Sequence, residues 1–240
     1  MLLLENQHLV AVRCCAQKVL LAYQQYAAQQ FFFRALSGLD LLIFRGVVFR
    51  SLFVFFVAGF LTACEEPRLP SPFKASDVTS KYAQADFRLT DHNGKSRTLA
   101  DFRGKVAVLF FGYTHCPDVC PTTLADLAQV MRMLDKDADR VQVLFVTVDP
   151  ERDNPEMLGN YVPAFHSSFL ALYGDAQTTE QVAKTFNVEY RKHPTTSGYS
   201  VDHSAGTFLI DPNGRVRLLA PYGQRAEWMA EDIRLLLAGV

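Results

Sequence analysis

Val106 to Pro121 reads VAVLFFGYTHCPDVCP and joins an unbroken apolar run to two thiols four residues apart. Val106 to Phe111 is β-rich and apolar throughout, the pattern of a strand buried on both faces. Such a strand delivers Cys116 to the carboxyl edge of a sheet. Pro121 has its φ pre-set for the first turn of a helix, and Leu124, Leu127, Met131 and Leu134 then recur at helical spacing. Cys120 is thereby placed near the helix N-cap.

Unpaired amide donors and the positive end of the helix dipole favour thiolate over thiol at that position. Residues four apart on a helical turn have β-carbons about 5–6 Å apart, so both sulfurs can share one soft metal ion or one disulfide. The spacing does not choose between them. Two buried structural cysteines are the plainer alternative, against which stand the flanking prolines and Asp118, residues suited to an edge.

Outward from this centre, Val141 to Val148 is a second apolar strand, and Asn154-Pro155 opens a helix expected to run to about Phe165. Leu170 to Tyr173 reads as a short strand, Thr178 to Phe186 as a helix, and Arg225 to about Ala238 as a closing amphipathic helix. Two turn signals, Asp91-His92-Asn93-Gly94 and Asp211-Pro212-Asn213-Gly214, each separate a pair of strands and predict hairpins, with His92 on the surface. This order predicts an α/β fold of thioredoxin-like type, a central mixed sheet flanked by helices, with an N-terminal β-hairpin addition. Residues 85–240 suffice for one core.

Before Thr207 lies RKHPTTSGYSVDHSAG, a polar stretch with Pro194 and Gly198 that reads as a mobile loop. His203 ends it, just before a strand expected beside the Val106 strand, and so can face the cysteine pair. His193 follows Arg191-Lys192 and reads as solvated; His115 is expected to point away from the cysteines, and Asp118 to be a solvated carboxylate.

The front of the chain differs in kind. Ser51 to Leu61, SLFVFFVAGFL, follows Arg45 and Arg50 and precedes Leu61-Thr62-Ala63-Cys64. A basic start, a short apolar core and small residues before a cut describe a secretory signal. Its end resembles a bacterial lipobox, which implies acylation of Cys64 as the mature N-terminus. The alternative, a single membrane span from Leu41 to Ala63, has to bury Arg45 and Arg50. Residues 64–84, rich in Pro, Ser and charge, read as a lipid-anchored flexible tether. Residues 1–46 carry no domain pattern and read as an extension or a mis-assigned start, with Val47 or Val48 as the initiator.

Both anchor readings put the domain on the extracytoplasmic, periplasmic side of a membrane. Without residues 1–63, 19 basic residues face 23 acidic ones, so no basic surface for nucleic acid is indicated. Of the five cysteines, Cys14, Cys15, Cys64, Cys116 and Cys120, only the last two then remain as thiols in the folded part. In an oxidising compartment such a pair is a disulfide or a protected metal site.

Three motifs, FGYTHCPDVCPTTL, VTVDPERD and VDHSAGTFLIDPNG, resemble in order and spacing those of the Sco (SenC-like) copper chaperones. The resemblance runs from about residue 85 to the end. It implies a thioredoxin-like fold binding one copper ion through Cys116, Cys120 and His203, and assembly of the binuclear copper centre of cytochrome c oxidase. The partners it implies are the copper-bearing oxidase subunit and other periplasmic copper carriers or thiol reductases. Two thiolates and an imidazole also suit Cu(I) by their softness, whereas zinc generally takes a fourth ligand; Asp118 is the added group to consider for Cu(II).

Ser204-Ala205-Gly206 stands where many thioredoxin relatives carry a cis-proline, and three residues instead of two separate the thiols. Asp149-Pro150-Glu151-Arg152-Asp153 matches the family without assignable chemistry; capping the next helix and touching a partner are its two open roles, with capping favoured. The competing functions are a metallochaperone without turnover of its own, a thiol-disulfide oxidoreductase that reduces the oxidase copper-site cysteines through Cys116 and Cys120, and a copper or redox sensor.

Overall fold

The apolar run at Val106 becomes β4 (Val106–Gly112), every residue of it buried, at the centre of an eight-stranded sheet. The computed structural model describes residues 71–196 and 198–240. The readings of residues 1–70, Cys64 and the signal segment among them, lie outside the described residues. β4 pairs in parallel with β5 (Val141–Thr147), which pairs in parallel with β6 (Leu170–Tyr173). On its other side β4 runs antiparallel to β9 (Thr207–Ile210), with Phe110 opposite Thr207, and β9 forms the expected hairpin with β10 (Val216–Ala220). The N-terminal hairpin, β2 (Leu89–Asp91) with β3 (Ser96–Arg97), continues the sheet beyond β6.

Helix α1 (Val119–Leu134) connects β4 to β5 and buries Leu124, Leu127, Met131 and Leu134. It starts two residues before Pro121. Pro121 at the third helical position costs nothing, since the first four amides of a helix have no partner within it. Helices α2 (Pro155–Tyr161) and α3 (Ala176–Thr185) follow, and α4 (Ala226–Leu237) packs on α1, where Arg234 Nη2 donates to the Met133 carbonyl at 2.6 Å. α2 ends at Tyr161 and not near Phe165 because Pro163 lacks an amide hydrogen and its ring blocks a continuing helix.

The two faces of β4 carry different aromatic groups, as strand alternation requires. Phe111 joins Phe186 and Phe208, with centroids 5.6 and 6.3 Å away, while Phe110 packs on Phe145 at 6.1 Å. Burial of each such ring contributes about 1.5–3 kcal/mol.

Three expectations change. The tether, read as flexible to residue 84, is packed from Phe73 onward: Phe73, Ala75 and Tyr82 are buried, and β1 (Ser76–Asp77) pairs with the edge of β10. The buried Asp232 carboxylate accepts the Lys74 and Ala75 amides at 2.7 and 2.9 Å, and Tyr82 sets its ring 5.3 Å from Phe208. The predicted loop before Thr207 is a two-stranded ribbon, β7 (Tyr190–Thr195) with β8 (Gly198–His203). Both its strands are edges, where Pro194 can be tolerated, and Gly198 takes a φ of +133° beside the turn. His92 is half-buried, its Nδ1 accepting the Ala171 amide at 3.1 Å, so it locks β2 to β6 instead of standing free in solvent.

Candidate metal centre

Gly112 ends β4 beside Cys120. A β-carbon there meets Cys120 Sγ and Phe145 Cε2 at 2.8 Å each, so only glycine lets strand and helix approach this closely. Tyr113 turns the chain, its carbonyl accepting the Cys116 amide at 3.3 Å, and α1 then begins. The Cys120 amide, one of the free donors of the first turn, points to Cys116 Sγ at 3.4 Å.

From the other side, β8 ends on His203, whose Nε2 lies 3.4 Å from Cys120 Sγ. His203 Nδ1 is 3.0 Å from the Ser204 carbonyl, which only accepts, so Nδ1 carries the proton and Nε2 keeps its lone pair for the sulfurs. Burial lowers the His203 pKa against smaller opposing effects of the Ser204 carbonyl and Asp202. The neutral imidazole, the form that ligates metals, is the one favoured here.

The two sulfurs and an imidazole nitrogen lie within 4.8 Å of one another, so a contraction of at most about an ångström brings them to the separation of atoms bound to one ion. Cys120 is fully buried, whereas Cys116 and His203 are partly exposed, so the cluster has one closed side and one open side. Phe110 and Tyr113 each pack against His203 in a T-shaped arrangement, with centroids 6.2 and 6.0 Å away. Such an apolar lining restricts water and raises the advantage of soft ligands.

One expectation about the thiols is reversed. Desolvation pushes the Cys120 pKa well above that of a free thiol, outweighing a backbone hydrogen bond that lowers it. The helix end is a local effect of modest size, while complete burial penalises the whole charge. Burial thus favours the protonated thiol at Cys120, for which the nearby His203 Nε2 is a suitable acceptor.

His115, Asp118 and His193 do not join the cluster. His115 Nδ1 lies 3.0 Å from Thr114 Oγ1 and 3.8 Å from Asp153, Asp118 is exposed at the N-cap of α1, and His193 pairs with Asp202 across the ribbon at 3.0 Å. The segment from Asp149 to Asp153 is not a helix cap: Asn154 caps α2, its side chain accepting the Met157 amide at 2.8 Å. Instead the buried Asp153 carboxylate accepts the Thr114 amide at 3.0 Å and the Thr147 hydroxyl at 2.6 Å, fixing the turn that carries Cys116. The sequence signal for it was two carboxylates four apart directly after an apolar strand; its partners lie too far along the chain to be paired by inspection.

The sequence profile described as SCO1/SenC matches residues 76–238. The chain is 41% identical over 159 residues to the Bos taurus protein named "Protein SCO2 homolog, mitochondrial", covering 65% of this chain and 60% of that relative's length. Among solved structures, Bradyrhizobium japonicum ScoI with copper bound aligns with a TM-score of 0.59 at 40% identity, over 63% of this chain and 98% of that one. A SCO1/SenC family lipoprotein from Bacillus anthracis aligns with a TM-score of 0.58 at 27% identity, over 67% of this chain and 97% of that one. With the profile covering well over half of its residues, the chain belongs to the SCO1/SenC family.

Proposed function

We propose that this chain is a copper metallochaperone that holds one Cu(I) between Cys116, Cys120 and His203 and passes it by ligand exchange to the copper-bearing subunit of cytochrome c oxidase. The observation that carries the reading is the convergence of two sulfurs and a proton-free imidazole nitrogen within 4.8 Å. A soft cation satisfies that set without a fourth donor, and three ligands leave a coordination position for an incoming thiolate. Copper in the related Bradyrhizobium japonicum structure supports the choice of metal. The oxidase as recipient follows from the resemblance of the motifs.

Acylation of Cys64 would hold the domain beside a membrane on its extracytoplasmic side, in keeping with the lipoprotein from Bacillus anthracis. Among the described residues no helix is long and apolar enough to cross a membrane. The oxidoreductase reading gains less support at Cys120, whose burial and raised pKa make it a poor attacking or leaving group in disulfide exchange, and rests on the half-exposed Cys116.

The test is Cu(I) affinity of the reduced full chain, purified anaerobically in detergent and titrated against a chelator. His203→Ala should weaken binding strongly while leaving thiol-disulfide exchange intact. Unchanged affinity in that variant would remove His203 from the site and with it the proposed transfer geometry.

A further inference from the structure

The segment after β5 touches both halves of the centre. At one end Asp153 holds Thr114, two residues before Cys116, through both the amide and the hydroxyl of that threonine. At the other end Asp149, wholly buried, accepts the Tyr199 hydroxyl at 2.7 Å and the Arg152 Nε–H, and Tyr199 lies on β8, the strand that ends on His203. Arg152 Nη1 donates to the Tyr199 carbonyl at 2.8 Å, and its guanidinium stacks 3.7 Å from the Tyr199 ring centroid. On the partner strand, Lys192 Nζ reaches Glu151 at 2.7 Å.

The two ends are themselves joined. The Thr147 hydroxyl donates to Asp153 at 2.6 Å and accepts the Asp149 amide at 3.0 Å. A continuous path of hydrogen bonds therefore runs from the Cys116 turn through Thr114, Asp153, Thr147 and Asp149 to Tyr199 on the His203 strand.

The ribbon needs such an anchor. β7 and β8 form a separate two-stranded sheet, most of whose residues are at least partly exposed, and an isolated pair of strands is marginal in water. Its position over the sulfurs is then decided by tertiary contacts. Charge-assisted bonds to a buried carboxylate are the strong kind, and a buried charge that loses a partner is costly.

We propose that Asp149 to Asp153 is a two-ended clamp that sets the gap between imidazole and sulfurs, Asp149 positioning His203 through Tyr199 and Arg152, and Asp153 positioning Cys116 through Thr114. The inference rests on the copper reading of the three donors. Its distinguishing consequence is asymmetry. Loosening the Asp149 end withdraws the nitrogen ligand and leaves the ion on two sulfurs, whereas a purely structural role would lower stability without changing the ligand set.

The experiment compares wild type with Tyr199→Phe, Asp149→Asn, His203→Ala and, as a control for losing a buried carboxylate elsewhere, Asp232→Asn, each as the full chain loaded with Cu(I). Tyr199→Phe keeps the ring on Arg152 and removes one hydroxyl, so it remains informative should Asp149→Asn fail to fold. Tyr199→Phe and Asp149→Asn are expected to weaken Cu(I) binding about tenfold or more, the usual effect of losing a group that supports a ligand. X-ray absorption should then show the nitrogen contribution reduced and both sulfurs retained, with Asp232→Asn unchanged in both readouts. Wild-type affinity and nitrogen ligation in Tyr199→Phe, with His203→Ala impaired, would overturn the clamp and leave the site standing. Wild-type binding in His203→Ala as well would overturn both.

Discussion

His203 Nε2 stands 3.4 Å from Cys120 Sγ although 83 positions separate them along the chain. The contact joins the two-stranded ribbon to the first turn of α1 at the end of β4.

Reactivity of the two thiols should differ. Cys120 is buried with a raised pKa, while Cys116 is half-exposed. In the reduced, metal-free chain at neutral pH, iodoacetamide should modify Cys116 well before Cys120, as mass spectrometry of timed samples would show. One equivalent of Cu(I) should protect both. Equal labelling of the two would contradict the burial argument.

Gly112 has no room for a methyl group, which would meet Cys120 Sγ and Phe145 Cε2 at 2.8 Å. Gly112→Ala should cost about 1–3 kcal/mol of stability in denaturant unfolding, as overpacking does, and should also weaken copper binding by displacing Cys120. A variant that lost stability but bound copper normally would mean that Phe145 alone yields.

The Asp91 and Asp211 turns predict acid sensitivity. Burial opposes ionisation of each, but amide donors and the guanidinium of Arg97 or Arg215 outweigh it, so both carboxyls titrate below the ordinary carboxylate value. A depressed folded-state pKa contributes stability that is complete above the unfolded value, about 3.9, and is lost as pH falls through the folded one. Asp211→Asn should therefore be less stable than wild type at pH 7, and the difference should shrink toward pH 2. Urea unfolding at several pH values checks this; a constant difference would contradict it.

Leu124 is fully enclosed between α1 and the sheet. Leu124→Ala should lower unfolding free energy by about 2–5 kcal/mol, measured by chemical denaturation. A loss under 1 kcal/mol would mean that the helix collapses onto the vacated space.

Much of this was legible in the sequence. Val106 to Phe111 and Val143 to Val146 announce themselves because both faces of each strand are covered, which leaves an uninterrupted apolar run. The hairpins follow from Asp91-His92-Asn93-Gly94 and Asp211-Pro212-Asn213-Gly214, whose turn chemistry is local. The ribbon was not legible, because exposed strands lack an apolar rhythm and Pro194 and Gly198 mimic a loop. Phe73 and Tyr82 were hidden in a stretch with the composition of a linker, their burial being decided by Asp232 and Phe208 far along the chain. The thiol of Cys120 illustrates the same limit: sequence supplies the helix end, but only the folded core supplies the desolvation that wins.

The most direct test of the account is X-ray absorption and metal analysis of the reduced full chain after Cu(I) loading and removal of excess metal. One copper per chain is expected, bound by two sulfurs and one nitrogen, with the nitrogen lost in His203→Ala. Copper held by sulfur alone in the wild type, or more than one ion per chain bridged by thiolates, would contradict it.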